Sequence, residues 1–77
     1  MDCRIVKHFG DLSKTKSGWA LEFNLVEWTP DKSGPFQRYD IRHWAPDHSK
    51  TGKGISMNAE ELEAFKALCS DLKFEEE

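Results

Sequence analysis

Cysteine is scarce in this sequence, and the two that occur, Cys3 and Cys69, lie near opposite ends of the chain. The absence of a Cys-x-x-Cys pair excludes a structural zinc site of that type. No long apolar run precedes Cys3, so the N-terminus does not read as a secretory signal. An intracellular chain keeps such thiols reduced, and two free thiols are expected. Long apolar runs are missing elsewhere too: nothing approaches the roughly 20 residues of a membrane-spanning helix. The expected location is the cytoplasm, in association with the nucleoid if the source is bacterial. A nucleophile with an adjacent base and an orienting acid is also lacking. Asp40 alone cannot serve as both acid and base, so no enzymatic activity and no small-molecule substrate are expected. The segment Thr51-Gly52-Lys53-Gly54 lacks the spacer and the Lys-Ser/Thr step of a phosphate-binding loop, and reads as a turn entering an edge strand. His43, Asp47 and His48 lie close together, but no helical i,i+4 histidine pair exists, and neither a metal nor a cofactor is expected.

What is present is one domain, residues 1–77, with a core over about 4–72 and an acidic tail at 73–77. A domain of this size buries only about 60% of its unfolded surface. Small folds are reinforced by disulfides, metals or oligomerisation, and here oligomerisation is the device left. The net charge of −3 is unevenly spread. Residues 1–57 carry nine Lys or Arg against seven Asp or Glu, whereas residues 58–77 carry two against seven. The first part is mildly basic, and the local field governs encounter with a polyanion.

Strands come first and one helix follows. Residues 4–9 predict a first strand, and Asp11 to Gly18 a polar loop. Residues 19–28 alternate and predict a second strand. Thr29 to Pro35 holds two prolines and a glycine and predicts a turn. Residues 36–44 predict a third strand, Pro46 to Gly52 a loop, and residues 53–57 a short fourth strand. Asn58 and Glu61 have the spacing of a capping box. Leu62, Phe65, Leu68, Cys69 and Leu72 then form one apolar helix stripe, expected to cover the chain's own sheet and to meet a two-fold mate. The expected class is α+β: a curved four-stranded antiparallel sheet followed by one C-terminal helix, paired as a symmetric homodimer.

The two sheet faces differ. Trp19, Leu21, Phe23 and Leu25 share one face of the second strand with Gln37, Tyr39, Ile41 and His43 of the third. Glu22, Asn24, Val26 and Trp28 share the other with Phe36, Arg38, Asp40, Arg42 and Trp44. The first face suits the helix. The second is expected to meet solvent with tryptophan and arginine. Bases stack on exposed rings at about 1–3 kcal/mol each, and basic side chains neutralise the phosphates between them. Single strands can splay their bases onto such a surface, whereas a duplex cannot. Two other readings stay open from the pattern alone. The tryptophans could pack in a core or a dimer seam, and Arg38 and Arg42 could pair with Asp40 between them.

The residues become more specific from Tyr39 onward. The run Tyr39-Asp40-Ile41-Arg42-His43-Trp44, then Gly52-Lys53-Gly54-Ile55-Ser56 and a capped helix, resembles the transcriptional coactivator family called positive cofactor four. Gly18-Trp19, Glu22, Asn24, Val26 and Trp28, with Trp44-x-Pro46-Asp47-His48-x-Lys50-x-Gly52, are most similar to its bacterial YdbC-like branch. The resemblance covers roughly residues 18–70. It implies a symmetric dimer that binds single-stranded DNA with little sequence preference, with RNA as a further ligand, in transcription or DNA maintenance. It implies stacking by Trp28 and Trp44. Phosphate contacts would come from Arg42 and Lys53, with Lys50, Arg38 and Lys32 beside them. The long serine-rich arm of the eukaryotic form is absent, so a phosphorylation-controlled coactivator role does not carry over. The alternative function is a protein-interaction module, or transcription cofactor, that holds a peptide on the same sheet face.

Overall fold

A computed structural model describes residues 2–74. Four strands precede one helix: β1 (Asp2–Lys14), β2 (Ala20–Thr29), β3 (Phe36–Trp44), β4 (Thr51–Met57) and α1 (Ala59–Asp71). The strands form one antiparallel sheet in the order β1-β2-β3-β4, the simple meander that short connections favour. This is the α+β arrangement expected, a sheet followed by a C-terminal helix.

The first strand departs from expectation. It runs on through the segment read as a polar loop, to Lys14. The reason is visible in its register with β2. Ile5 pairs with Val26, His8 with Asn24, Asp11 with Glu22 and Lys14 with Ala20, so three residues of β1 match two of β2. Register shifts fall between Ile5 and Lys7, between His8 and Gly10, and between Asp11 and Ser13. Each bulge adds a residue and increases local twist. Val6, Phe9 and Leu12 are the apolar residues at these shifts, and Phe9 lies against Phe23 and Tyr39 at centroid distances of 4.8 and 6.2 Å. A period of three hides such a strand from any reading based on alternation.

Turns are built by local bonds. Thr15 N–H donates to the Trp19 carbonyl at 2.7 Å, Thr15 Oγ1 accepts from Trp19 N–H at 3.1 Å, and Gly18 takes φ 94°. Between β3 and β4, His48 N–H donates to the Ala45 carbonyl at 2.9 Å and His48 sits at φ 61°. Asp47 Oδ1 accepts from both the Ser49 amide and hydroxyl. These two bonds hold the exposed Asp47 carboxyl below the usual aspartate range. The fourth strand starts two residues earlier than expected, at Thr51. Gly54 pairs with Arg42, and a Cβ there would collide with Arg42 Cβ and the Ile41 carbonyl. It is a site of close backbone approach rather than part of a turn.

The helix begins as its sequence dictates. Asn58 Oδ1 accepts from Glu61 N–H at 2.7 Å, and Glu61 Oε1 accepts from Asn58 N–H at 2.9 Å. Its apolar stripe does not bury itself, however. No helix residue is buried, Leu62 is half-buried, and Phe65, Leu68 and Leu72 are 46%, 69% and 58% exposed. The expectation that the stripe covers its own sheet is therefore corrected: one chain leaves it open.

Burial is concentrated instead on the face expected to meet solvent. Ala20, Glu22, Asn24 and Val26 of β2 are buried, as are Asp40 and Trp44 of β3. Curvature explains this. Trp28 and Arg42 lie far apart in the β2–β3 ladder, where Trp28 pairs with Phe36 and Arg42 with Glu22. Yet the Arg42 guanidinium stands 5.6 Å from the Trp28 ring centre. Side chains from the two ends of this concave face thus reach each other across it, and Val26 on the same face is 0% exposed.

Candidate nucleic-acid interface

Carboxylate and amide groups line the floor of the concave face, and each of these finds a partner. Asp40 is fully buried, and its carboxylate accepts from Arg42 Nε at 2.7 Å and from the Ser56 hydroxyl at 2.7 Å. Asn24, also fully buried, donates from Nδ2 to Glu22 Oε1 at 3.1 Å. His48 Nε2 donates to Glu22 Oε2 at 2.7 Å. A buried carboxylate survives only with such partners. Arg42 is thus committed to the fold: its side chain is 17% exposed and carries the one guanidinium on Asp40. The alternative left open from sequence, that Arg42 pairs with Asp40, is what the structure contains. Arg38 instead donates to the Gln37 carbonyl at 2.8 Å and lies over the Phe36 ring at 4.7 Å.

The aromatic side chains divide. Trp28 is half-buried, with the Arg42 guanidinium over its ring. Trp44 is 6% exposed, and its ring stands 5.4 Å from that of His48. Its Nε1 is buried without a hydrogen-bond partner. The expected stacking role of Trp44 is corrected accordingly, because a base has no access to a ring closed into the core. Phe36, which alternation places on this face but which the family resemblance does not mark, is 36% exposed, stands opposite Trp28 in the ladder and bears Arg38 on its ring. Trp28, Phe36, Arg38 and Arg42 therefore form one aromatic and guanidinium group at the end of the β2–β3 hairpin.

The lysines are free of this packing. Lys32 is exposed in the β2–β3 connection, Lys50 next to β4, and Lys53 on β4. The structure does not gather them with Trp28 and Phe36 into one compact cluster. Lys32 adjoins that group in the chain, while Lys50 and Lys53 belong to the opposite end of β3, where Trp44 pairs with Thr51.

Cys3 pairs with Trp28 in the ladder, and its thiol is pushed up, first by burial and then by Asp40, against the opposing pull of Arg42. Both cysteines are free. Among the described residues, the ligating types that converge are His8, Asp11 and Glu22, not the His43, Asp47 and His48 set that lies close in sequence. No helix of the described residues is long and apolar enough to cross a membrane.

Comparison with known sequences accords with this architecture. A protein of Treponema pallidum (strain Nichols), described only as uncharacterized, is 34% identical over 71 residues, covering 92% of this chain and 79% of that protein. The sequence profile of the family described as Transcriptional Coactivator p15 (PC4) matches residues 15–68, from the first turn to the apolar stripe of α1. With that profile spanning β2, β3, β4 and most of α1, the chain belongs to the PC4 family of transcriptional coactivators.

Proposed function

We propose that this protein binds single-stranded nucleic acid, DNA in the first instance and with little sequence preference, as a homodimer acting in transcription or DNA maintenance. Membership of the PC4 family supports the ligand class. The observation that carries the reading to particular residues is the group at the end of the β2–β3 hairpin. There, guanidinium groups stand over both Trp28 and Phe36. Rings of this kind accept splayed bases, and neighbouring cations accept the phosphates between them. Trp28 and Phe36 are the stacking residues in this reading. Arg38 and the exposed Lys32, Lys50 and Lys53 are the phosphate partners. Arg42 serves the site by holding Trp28 and Asp40 in place. The reading involves no catalysis.

Dimerisation rests on separate grounds. The Cα radius of gyration is 14.4 Å, whereas a compact domain of this length has about 11–12 Å. An apolar groove of about 600 Å³ runs between helix and sheet, lined by Leu12, Phe23, Ile41, Leu62, Phe65 and Cys69 among others. A second copy would fill it and cover Leu68 and Leu72.

The test is a fluorescence titration with oligothymidine and with a duplex of equal length, at two salt concentrations. The single strand is expected to bind far more tightly. Phe36→Ala is expected to weaken it by about 1–3 kcal/mol for each base that loses its platform, with the salt slope unchanged. Lys53→Ala is expected to flatten the slope of log affinity against log salt by about 0.7 for each phosphate it ceases to neutralise. Equal affinity for strand and duplex would refute the stacking model. Binding of a protein partner with no salt dependence would favour the peptide-holding alternative instead.

A further inference from the structure

Asp11 and Glu22 are direct register partners in the β1–β2 ladder. Like charges placed directly opposite each other destabilise a sheet. Water reaches the pair only from the Asp11 side, because Glu22 is 5% exposed.

The hydrogen bonds around Glu22 decide where a cation is wanted. An ionised carboxylate only accepts, so Asn24 turns its NH₂ toward Glu22 Oε1, at 3.1 Å. The other end of that amide, Asn24 Oδ1, then faces His8 Nδ1 at 2.6 Å, and Nδ1 must carry a proton. In the neutral imidazole this leaves the lone pair on Nε2. That lone pair faces Asp11 Oδ1 at 3.3 Å. Two acceptors in this position are reconciled by a proton on Nε2 or by a metal cation between them.

The spacing suits a metal ion. Ligands about 2.0–2.1 Å from zinc at tetrahedral angles stand about 3.3 Å from one another. One donor atom from each of His8, Asp11 and Glu22 lies within 4.8 Å of the others. Asp11 Oδ1 stands 3.3 Å from His8 Nε2, whereas Glu22 Oε1 stands 3.5 Å from His8 Nδ1, so Glu22 closes toward Nε2 when the ion binds. The bond from His8 Nδ1 to Asn24 is the support that orients a metal-binding imidazole and fixes its tautomer. His48 lies outside this group and holds the carboxylate by its other oxygen, Nε2 donating to Glu22 Oε2 at 2.7 Å. An open cleft of about 470 Å³, with Lys14 on its wall, gives access from solvent. We propose that His8, Asp11 and Glu22 bind one divalent cation of the zinc class per chain. Imidazole with carboxylates selects zinc, cobalt or nickel over magnesium and calcium. The ion would neutralise the Asp11–Glu22 pair and tie the bulged strand to β2, beside the loop that carries His48.

The full chain, stripped with a chelator, is titrated with Zn²⁺ by calorimetry and with Co²⁺ by its visible d–d absorption. One ion per chain is expected, with a Co²⁺ spectrum of low coordination number and a raised melting temperature. Glu22→Gln alters a buried residue and could fail to fold, so the test rests on His8→Gln and Asp11→Asn, whose side chains are 47% and 44% exposed. Each is expected to lower the affinity at least tenfold, and Asp11→Asn to leave the metal-free protein as stable as before or more so. Saturable binding that survives both substitutions would place the ion elsewhere and overturn the proposal. So would the absence of saturable Zn²⁺ and Co²⁺ binding. A third overturning result is a melting temperature that does not change when Zn²⁺ or Co²⁺ is added.

Discussion

Arg42 and Asp40 illustrate how one residue can look like a ligand contact and belong to the core. Both lie on the concave face, two positions apart on β3, and their ion pair at 2.7 Å is sealed from water on the Asp40 side. Removing one partner of a buried pair leaves an uncompensated charge and costs about 3–5 kcal/mol. Arg42→Ala is therefore expected to lower unfolding stability in urea by that amount, leaving Asp40 with the Ser56 hydroxyl alone. Weaker nucleic-acid binding by this variant would follow from the weakened fold and would not mark Arg42 as a phosphate partner. Trp44 behaves alike. Truncating a buried tryptophan costs about 3–5 kcal/mol, so Trp44→Ala is expected to be partly or wholly unfolded by circular dichroism at ambient temperature. A folded Trp44→Ala protein with weakened oligothymidine binding would return Trp44 to the interface.

At the scale of elements, β1 and β4 are the irregular strands of the sheet. The three bulges of β1 let its apolar residues Val6, Phe9 and Leu12 recur every third position beside the strand pairs. On the far side of the sheet, β4 approaches β3 so closely at Gly54 that no side chain fits. Gly54→Ala is expected to part the β3–β4 ladder and to cost at least the 1–3 kcal/mol typical of overpacking, read as a lower melting temperature. The contrasting substitution is Gly34→Ala, where nothing lies within 4 Å of a new Cβ. It is expected to leave the melting temperature nearly unchanged. The helix is well started by its capping box, but α1 gains little from its own sheet. Its persistence depends on what covers Phe65, Leu68 and Leu72, since most helical stability in proteins comes from packing of the apolar face.

For the whole molecule, that dependence becomes a statement about assembly. A chain with Ile55, Leu12, Leu68 and Leu72 all more than half exposed presents an apolar surface of the kind that marks an interaction site. Sedimentation at micromolar concentration is expected to give twice the chain mass. Leu68→Glu is expected to yield monomer with reduced helix content. Cys69 supplies a second readout, since it is exposed on a single chain. Its alkylation is expected to slow as protein concentration rises and the helix is covered. Alkylation at a rate independent of concentration, together with a monomeric mass, would refute the dimer.

Local chemistry alone determined much of this protein. Prolines and glycine fixed the β2–β3 connection, Asn58 and Glu61 fixed the helix start, and alternation fixed β3 at residues 36–44. The ordered run from Gly18 to Ser56 also carried the family. These features depend on near neighbours in the chain, which a sequence displays directly. Which sheet face is closed was decided only by tertiary structure. Alternation separates two faces but does not say which is concave, and curvature here comes from the bulges of β1, whose period of three imitates a polar loop. The same curvature buried Trp44, joined Arg42 to Trp28 across the face, and brought His8 and Asp11 of one strand onto Glu22 of the next. Those contacts join residues far apart in the chain, and only the folded sheet brings them together.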